Sequence, residues 1–269
     1  MESPTPTGKA RTWAIVESRG QQFAVDIHCL REFVVMPEVA AIPGCDTRHR
    51  GVINLRGEVL PLLDLRKCLG WQSVPEETEA FNAMMAAREQ DHSNWLDALE
   101  RAVRERTEFQ LATDPHQCAF GRWYYSYRSD SPWIAALLKK FEKPHNLIHA
   151  SAQEALALVA VRRFDEAVRL VERKREGELR EMIGLFQSLK DLMRESLREL
   201  AMVMRDSQRS FAVAVEAALA VESVASEMIQ DIDAHTVGIT NGRVQRVLER
   251  CGSRSLAIIL DPEMLSVQS

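Results

Sequence analysis

The sequence lacks an apolar run of the roughly 18 residues that a membrane-spanning helix requires. It also lacks a secretory signal, because the N-terminal stretch MESPTPTGKART is polar, short and rich in Pro and Thr. We therefore expect a cytoplasmic protein with no direct membrane insertion. Residues 1–11 are predicted to form a disordered tail.

The chain also has few cysteines and no excess of positive charge. The five cysteines are an odd number scattered among apolar neighbours, which favours reduced thiols over a disulfide framework. A formal net charge of -5, without a basic run that contains aromatic residues, argues against binding to nucleic acid. With 46% hydrophobic residues the chain can still bury a substantial core, and its length permits one or two domains.

Residues 12–71 have the residue pattern of several short strands. TWAIVES and QQFAVDI flank Arg19-Gly20 and predict a hairpin, while GVINLR and EVLPLLDL are separated at Gly57. The strand pattern returns over 208–267, in segments such as RSFAVAVEAALAVESV, HTVGIT, GRVQRVLE and RSLAIILD. Each half has roughly 60 residues, near the lower limit for independent folding, so we predict one β domain split in two.

A helical block over residues 76–206 interrupts this β domain. Pro-containing breaks near residues 114, 131 and 144 predict a bundle of four or five helices. The last helix carries a heptad pattern across 179–203, and two interpretations of this stripe stay open. It packs on the bundle, or it forms a seam for a homodimer. The apolar positions of the pattern are Leu179, Met182, Phe186, Leu189, Met193, Leu200 and Val203.

Four residues of the helical block are candidate metal ligands, namely His92, Cys118, His145 and His149. The last two are four residues apart, so on a helix they share one face, and Pro144 suits the first turn of that helix. Three imidazoles and one thiolate complete a tetrahedral zinc site, and this set of nitrogen and sulfur donors favours zinc over copper or iron. Because four protein ligands leave no position for water, we expect no enzymatic activity.

The neighbours of the cysteine fit a shielded thiolate. Gly121 would allow another backbone segment to approach closely, or would adopt a positive φ. Phe120 and Trp123 would shield the sulfur of Cys118 from water. Each of these motifs, taken alone, is also compatible with a role other than metal binding. A lone H-x-x-x-H is more often solvated or part of a core, a lone buried cysteine is usually an inert small hydrophobe, and the aromatic residues would serve equally in an ordinary core.

Taken together, H-x-x-W, C-x-F-G-x-W and H-x-x-x-H resemble the chemoreceptor zinc-binding (CZB) domain, a helical bundle of bacterial signalling proteins. The matching residues are His92, Trp95, Cys118, Phe120, Gly121, Trp123, His145 and His149. The resemblance implies that the three histidines and the cysteine bind zinc. The family is associated with zinc and hypochlorite sensing, which implies that oxidation of Cys118 would remove a ligand.

The segment GVINLRGEVLPLLDLRKCLG at residues 51–70 resembles the central motif of CheW-like domains, which couple chemoreceptors to the histidine kinase CheA. QQFAVDIHCLREFV fits the opening strands of that family, and SLAIILDPEML fits its final strand and helix. The implied fold is α+β, with a split CheW-like domain of two five-stranded barrels and the bundle inserted at their join. The resemblance assigns receptor contact to Asn54 and Arg56, with Arg66 behind them. Alternatively, Asn54 only shapes the turn and Arg56 is merely exposed.

The leading hypothesis is a non-enzymatic chemotaxis adaptor between chemoreceptors and CheA, whose inserted zinc site senses zinc or a hypochlorite-like oxidant. The alternative is a scaffold in which zinc is purely structural and the bundle mediates dimerisation or array packing.

Overall fold

A computed structural model describes residues 10–129, 131–232, 246–250 and 255–266. The described residues divide into two compact units, one from Met1–Val74 and Leu197–Ser269 and the other from Pro75–Ser196. Most of the predicted disordered tail and the predicted strand HTVGIT lie outside the described residues. In the described ranges no helix is both long and apolar enough to cross a membrane.

The first unit, here called the β unit, is built mainly from strands. Its elements are β1 (Arg11–Ser18), β2 (Gln21–Asp26), β3 (Leu30–Val35), β4 (Val39–Ala40), β5 (His49–Leu55), β6 (Glu58–Asp64), α1 (Leu65–Cys68), β7 (Leu200–Arg205), β8 (Ser210–Val215), β9 (Ala217–Val224), β10 (Ile229–Asp231), β11 (Arg246–Glu249), β12 (Leu256–Ile259) and α8 (Pro262–Ser266).

Both parts of the split chain contribute to both sheets of the β unit. The first sheet has the order β10-β11-β12-β2-β1-β9 and the second the order β3-β7-β8-β6-β5-β4. In each sheet one parallel pair joins the two parts of the chain, β12 with β2 and β6 with β8. The predicted α+β fold, with one β domain built from both ends of the chain, is confirmed. Each sheet has six strands in the described residues rather than five, because a strand of two or three residues, β4 or β10, lies at one edge.

The two predicted turns at Arg19-Gly20 and Gly57 close tight hairpins. Arg19 and Gly20 have φ values of 52° and 72°, and Arg56 and Gly57 have φ values of 54° and 91°. Positive φ at both central residues is the geometry of the two-residue turns that match the twist of paired strands. The backbone N–H of Gly57 also donates to Oδ1 of Asn54 at 2.8 Å, so Asn54 does shape its turn.

The second unit, here called the bundle, is helical. Its elements are α2 (Val74–Glu105), α3 (Ala119–Ser126), α4 (Pro132–Lys139), α5 (Glu142–Ala160), α6 (Phe164–Lys174), a π-helical turn (Arg175–Leu179) and α7 (Arg180–Ser196). The predicted breaks at 115 and 131 are present. The third break precedes Glu142 instead of falling at Pro144, and the break at 161–163 was not predicted.

The prediction of one helix across 179–203 is wrong in its last part. Helix α7 ends at Ser196, and Leu200 and Val203 lie in β7, which pairs with β3 and β8. Residues 201–204 are all buried, so the run LAMVM is apolar on both faces and its periodicity cannot distinguish a buried strand from a helix.

This strand also corrects the expected position of the insertion. The chain leaves the second sheet after β6 and α1 and returns to that same sheet through β7. The insertion is therefore connected to two strands of one sheet, with β8 between them, and not to the join between two barrels.

The heptad stripe on α7 packs inside the bundle. Leu179, Met182, Phe186 and Leu189 are buried in a core with aromatic residues from α3 and α5. These four side chains are covered within one chain, which favours the first interpretation of the stripe, and a homodimer through this helix stays a prediction.

Candidate metal centre

His92 lies in the middle of α2 with its imidazole buried. The ring Nδ1–H donates to the carbonyl oxygen of Arg88, one turn earlier, at 2.7 Å. This hydrogen bond orients the ring and leaves Nε2 with its lone pair, a buried nitrogen without a hydrogen-bond partner. A metal ion is one ligand that such a nitrogen accepts.

Cys118 is the N-cap residue of α3, and its sulfur takes the place that a Ser or Asp oxygen usually fills. Sγ accepts the backbone N–H of Gly121 at 3.1 Å. Burial raises the pKa of the Cys118 thiol, against the opposing effect of this N–H donor. The half-buried sulfur is therefore placed by the start of a helix rather than by a flexible loop.

Gly121 is needed for close approach and not for a positive φ. A Cβ at this position would lie 1.8 Å from the carbonyl oxygen of Pro115 and 3.3 Å from Sγ of Cys118. The backbone before the cysteine consequently folds directly against α3, which holds the sulfur toward the bundle interior.

His145 and His149 project from one face of α5, which begins at Glu142 and includes Pro144 in its first turn. Both rings are buried. Nε2 of His145 lies 3.2 Å from Sγ of Cys118, and the two histidine rings are 4.9 Å apart between centroids. The i, i+4 spacing thus places both rings beside the cysteine, as the sequence predicted.

The structure brings all four predicted ligands together. One donor atom from each of His92, Cys118, His145 and His149 lies within 4.8 Å of the others. Burial lowers the pKa of His92, and burial followed by the nearby His92 lowers that of His145 to about 3 and that of His149 to about 4. Neutral, buried imidazoles with no hydrogen-bond partner on His92 Nε2 and His145 Nδ1 fit the donor set of a zinc site.

Aromatic rings enclose the cluster. Phe120 packs edge-on against His92 and His145, at centroid distances of 5.7 and 5.1 Å, and Trp95 lies 4.9 Å from His149. Sequence reasoning missed Phe186 of α7, which contacts Phe120 at 5.1 Å. Its heptad position indicated burial, but nothing in the local pattern indicated that it lies beside the metal cluster.

Trp123 was expected beside the thiolate of Cys118. It packs instead against Phe81, Tyr127 and Phe120. His116, two residues before the cysteine, is exposed and stacks on Tyr125.

Residues 92–156, which contain all four candidate ligands, match the family model of the chemoreceptor zinc-binding domain. A second model, that of the CheW-like domain, matches residues 13–94. This chain carries a CheW-like domain over residues 13–94 and a CZB domain over residues 92–156. The combination supports a chemotaxis signalling scaffold, and both predicted resemblances are confirmed.

Among the solved structures that match, the scaffolding protein TtCheW from Thermoanaerobacter tengcongensis is similar over nearly the whole chain. It is 12% identical, with 96% of this chain and 94% of that chain covered, and the TM-score is 0.45. A TM-score this low supports no statement about function. A search of the curated proteins finds no match.

The three predicted partner-binding residues differ in their surroundings. Asn54 is engaged in its turn, while the Arg56 side chain is 77% exposed and reaches Glu32 Oε2 at 2.9 Å. Arg66 is buried and binds Glu216 at 2.7 Å, so it stabilises the β unit and is not available to a partner. Asn54 and Arg56 are therefore both exposed, as an interface residue must be, whereas Arg66 is not.

Replacement of Gly121 by Ala is expected to lower both zinc affinity and stability, because the added Cβ must push the Pro115 carbonyl away. We expect about 1–3 kcal/mol of destabilisation, the usual cost of overpacking. The matched control is Gly184→Ala in α7, where a Cβ meets no atom within 4 Å and where Ala favours the helix. Zinc titration would measure the affinity and thermal unfolding the stability of each variant. If Gly121→Ala had the same zinc affinity and the same stability as Gly184→Ala, the close packing around Gly121 would be contradicted.

Proposed function

We propose that this chain is a non-enzymatic adaptor of the cytoplasm that links chemoreceptors to the histidine kinase CheA, and that its inserted bundle senses zinc or an oxidant. The observation that carries the proposal is the four-ligand cluster inside a bundle whose two ends both continue into strands of the CheW-like domain. A purely accidental cluster of this kind would leave several buried imidazole nitrogens unpaired, at a free-energy cost.

The proposed ligands are His92, Cys118, His145 and His149. When bound, zinc would keep the Cys118 sulfur as a thiolate and close a tetrahedral shell. The four residues come from α2, the start of α3 and α5, so the site would tie together three separate helices of the bundle. Loss of His92 or Cys118 would then free α2 or the start of α3 from the metal.

Cys118 is the ligand that an oxidant can remove. Its sulfur is half-buried, whereas the three histidines are almost fully buried, and an oxidised sulfur no longer donates a thiolate lone pair. Because α3 begins at Cys118, we expect oxidation to disturb the start of that helix first. The bundle enters the second sheet through α1 and β7, which gives a covalent path to the adaptor domain.

The zinc site is tested by X-ray absorption and metal analysis of the purified chain. We expect one zinc per chain with one sulfur and three nitrogen neighbours. A substoichiometric metal content, or a shell with water oxygen in place of sulfur, would contradict the assignment. The second result would favour a hydrolase-type open site instead.

Receptor contact through the β5–β6 hairpin is tested by Arg56→Ala. We expect about tenfold weaker binding to chemoreceptor fragments, corresponding to the roughly 1.4 kcal/mol that an exposed arginine anchor contributes. Arg163→Ala is the matched control, since Arg163 is also an exposed arginine paired with a glutamate but belongs to the bundle. Pull-down and calorimetry would give the two affinities, and an unchanged Arg56→Ala affinity would remove the hairpin from the interface.

A scaffold with purely structural zinc remains the second candidate, because the bundle exposes an apolar groove. Trp133 is 77% exposed and forms the groove together with Leu137 of α4 and Leu192 of α7. Lys140 and Asp191 line the same groove, so two copies related by a two-fold axis would pair opposite charges. Sedimentation of the full chain and of Trp133→Ala, each with and without zinc, tests this. Dimers that require Trp133 would favour the scaffold, and a chain that stays monomeric with and without zinc would contradict it.

A further inference from the structure

The last helical stretch of the bundle contains a change in its hydrogen-bond pattern. Helix α6, the π-helical turn at Arg175–Leu179 and α7 follow one another directly from residue 164 to residue 196. The two family models together match residues 13–156, so neither resemblance assigns a role to this stretch. A π-helical turn is rare, and it occurs where an α-helix accommodates an extra residue.

The buried side chains show that one extra residue is present. Val171 is the last buried residue of α6, and the next buried residue, Leu179, comes eight positions later. Seven positions of an α-helix make nearly two full turns, whereas eight positions point about 80° away from the first residue. Beyond the turn the spacing of three and four residues resumes at Met182, Phe186 and Leu189. The π-helical turn therefore absorbs one residue and keeps α6 and α7 buried along one common face.

The two sides of the turn are held by different interactions. At its start, Arg175 binds Asp97 at 2.6 Å and Glu100 at 3.0 Å, and both of these acids belong to α2. Beyond the turn, Phe186 of α7 packs against the ring of His92, with 6.3 Å between the ring centroids. The start of the turn is thus fixed to α2 by charge, whereas the rotation of α7 is fixed by packing against a candidate metal ligand.

We propose that the π-helical turn is a register switch that follows the occupancy of the metal site. The proposal rests on the proposed function of the bundle as a zinc sensor. With zinc bound, the ligand cluster holds Phe186 in place and the extra residue stays in the turn. Without zinc, the turn becomes regular α-helix, and α7 rotates by about 100°, the angle of one residue. Because α7 ends at Ser196 and the chain enters β7 at Leu200, the rotation is passed along the chain to the β unit.

The side chains that this rotation brings to the core make the second register accessible but less favourable. They lie one position before the present buried stripe, at Glu178, Glu181, Leu185 and Ser188. Leu185 already packs against the core, whereas Glu181 and Ser188 are exposed and would lose hydration. The register with the π-helical turn is therefore preferred while the cluster is intact. Zinc shifts the balance because it binds the two registers with different affinity.

Deletion of Gly177 in the full chain tests the extra residue, with deletion of Gly184 in α7 as the matched control. Both glycines are exposed, and a Cβ at either would meet no described atom within 4 Å. Without Gly177 the two buried faces are seven positions apart, so regular α-helix joins them. Without Gly184 the second half of the α7 stripe rotates by about 100° away from the first half. We expect the Gly177 deletion to bind zinc and to melt within a few degrees of the unmodified chain, and the Gly184 deletion to melt at least about 10 °C lower.

Carbodiimide labelling of carboxylates, read by peptide mass spectrometry with and without a chelator, measures the rotation on the unmodified chain. Glu181 is exposed in the register with the π-helical turn and faces the core in the other. Its labelling should therefore slow severalfold when zinc is removed. Asp165, exposed on α6 before the turn, is the reference and should keep its rate. In the Gly177 deletion only one register remains, so Glu181 should be labelled at the zinc-bound rate with and without metal.

Equal melting temperatures of the two deletions would overturn the register switch, and so would Glu181 labelling that stays constant or becomes faster when zinc is removed. If the labelling slows as expected but CheA activity in receptor arrays ignores zinc, the switch is supported and the proposed sensing function fails. If CheA activity follows zinc while Glu181 keeps its labelling rate, sensing is supported and the register switch is overturned.

Discussion

Replacement of Cys118 by alanine is expected to give the largest loss of stability of any single change in the bundle. The variant retains three imidazoles but loses the thiolate, so a zinc affinity weakened about a thousandfold removes about 4 kcal/mol of stabilisation. For a unit of this size we expect the melting temperature of the bundle to fall by roughly 10–20 °C. Differential scanning calorimetry with and without a chelator measures the effect.

Two controls separate zinc loss from a packing defect. Cys45→Ala replaces an exposed cysteine of the β unit and should melt as the unmodified chain does. In excess chelator, Cys118→Ala and the unmodified chain should converge, because neither then holds the metal. A melting difference that persists in chelator would show that the sulfur acts only through packing and its N-cap contact with Gly121.

Replacement of Arg50 by alanine is expected to destabilise the β unit by about 3–5 kcal/mol, the usual effect of breaking a buried ion pair. Arg50 is largely buried and binds Asp64 at 2.7 Å and both carboxylate oxygens of Glu199 at 2.7 and 2.8 Å. Asp64 is the N-cap of α1, where the chain leaves for the bundle, and Glu199 precedes β7, where it returns. One guanidinium thus fastens the two ends of the insertion to β5.

The pH dependence of this variant follows from Glu199. Burial raises the pKa of Glu199, and Arg50 opposes that shift. Without Arg50 the charged form of Glu199 is less stable still, so the variant loses stability as pH rises from the unfolded value of about 4.3 through the raised pKa. We expect a smaller deficit at acidic than at neutral pH in urea unfolding. Arg31→Ala is the control, because it breaks the exposed ion pair with Glu58 and should cost under about 1 kcal/mol of stability at either pH. If Arg50→Ala lost no more stability than Arg31→Ala, the buried network would be contradicted.

Local chemistry explains which features could be predicted from the sequence. The turns at Arg19-Gly20 and Arg56-Gly57 each depend on two adjacent residues. The shared face of His145 and His149 depends on one helical turn, so short sequence patterns were enough to predict these features. His92 and Cys118 were identified from the motifs H-x-x-W and C-x-F-G-x-W. The structure gives the physical reason for two motif positions: Trp95 donates to the Ala112 carbonyl, and only glycine at 121 fits beside the Pro115 carbonyl.

Features set by distant pairing could not be read from the same patterns. β7 is apolar on both faces, and only its partners β3 and β8 distinguish it from a continuation of α7. The contact of Arg50 with Glu199 spans 149 positions, and the burial of Arg66 depends on Glu216 in a remote loop. The place of Phe186 behind His92 likewise depends on how α7 packs, which the heptad pattern does not specify.

The most direct test of the account is the activity of CheA in reconstituted receptor arrays that contain this chain. Zinc-loaded protein is compared with chelated and with oxidant-treated protein, and Cys118→Ala is included as a variant that lacks the oxidisable ligand. We predict that chelator and oxidant change kinase activity in the same direction, and that Cys118→Ala resembles the metal-free state and responds to neither. Identical kinase activity in all of these samples would contradict zinc sensing and leave the metal with a structural role alone.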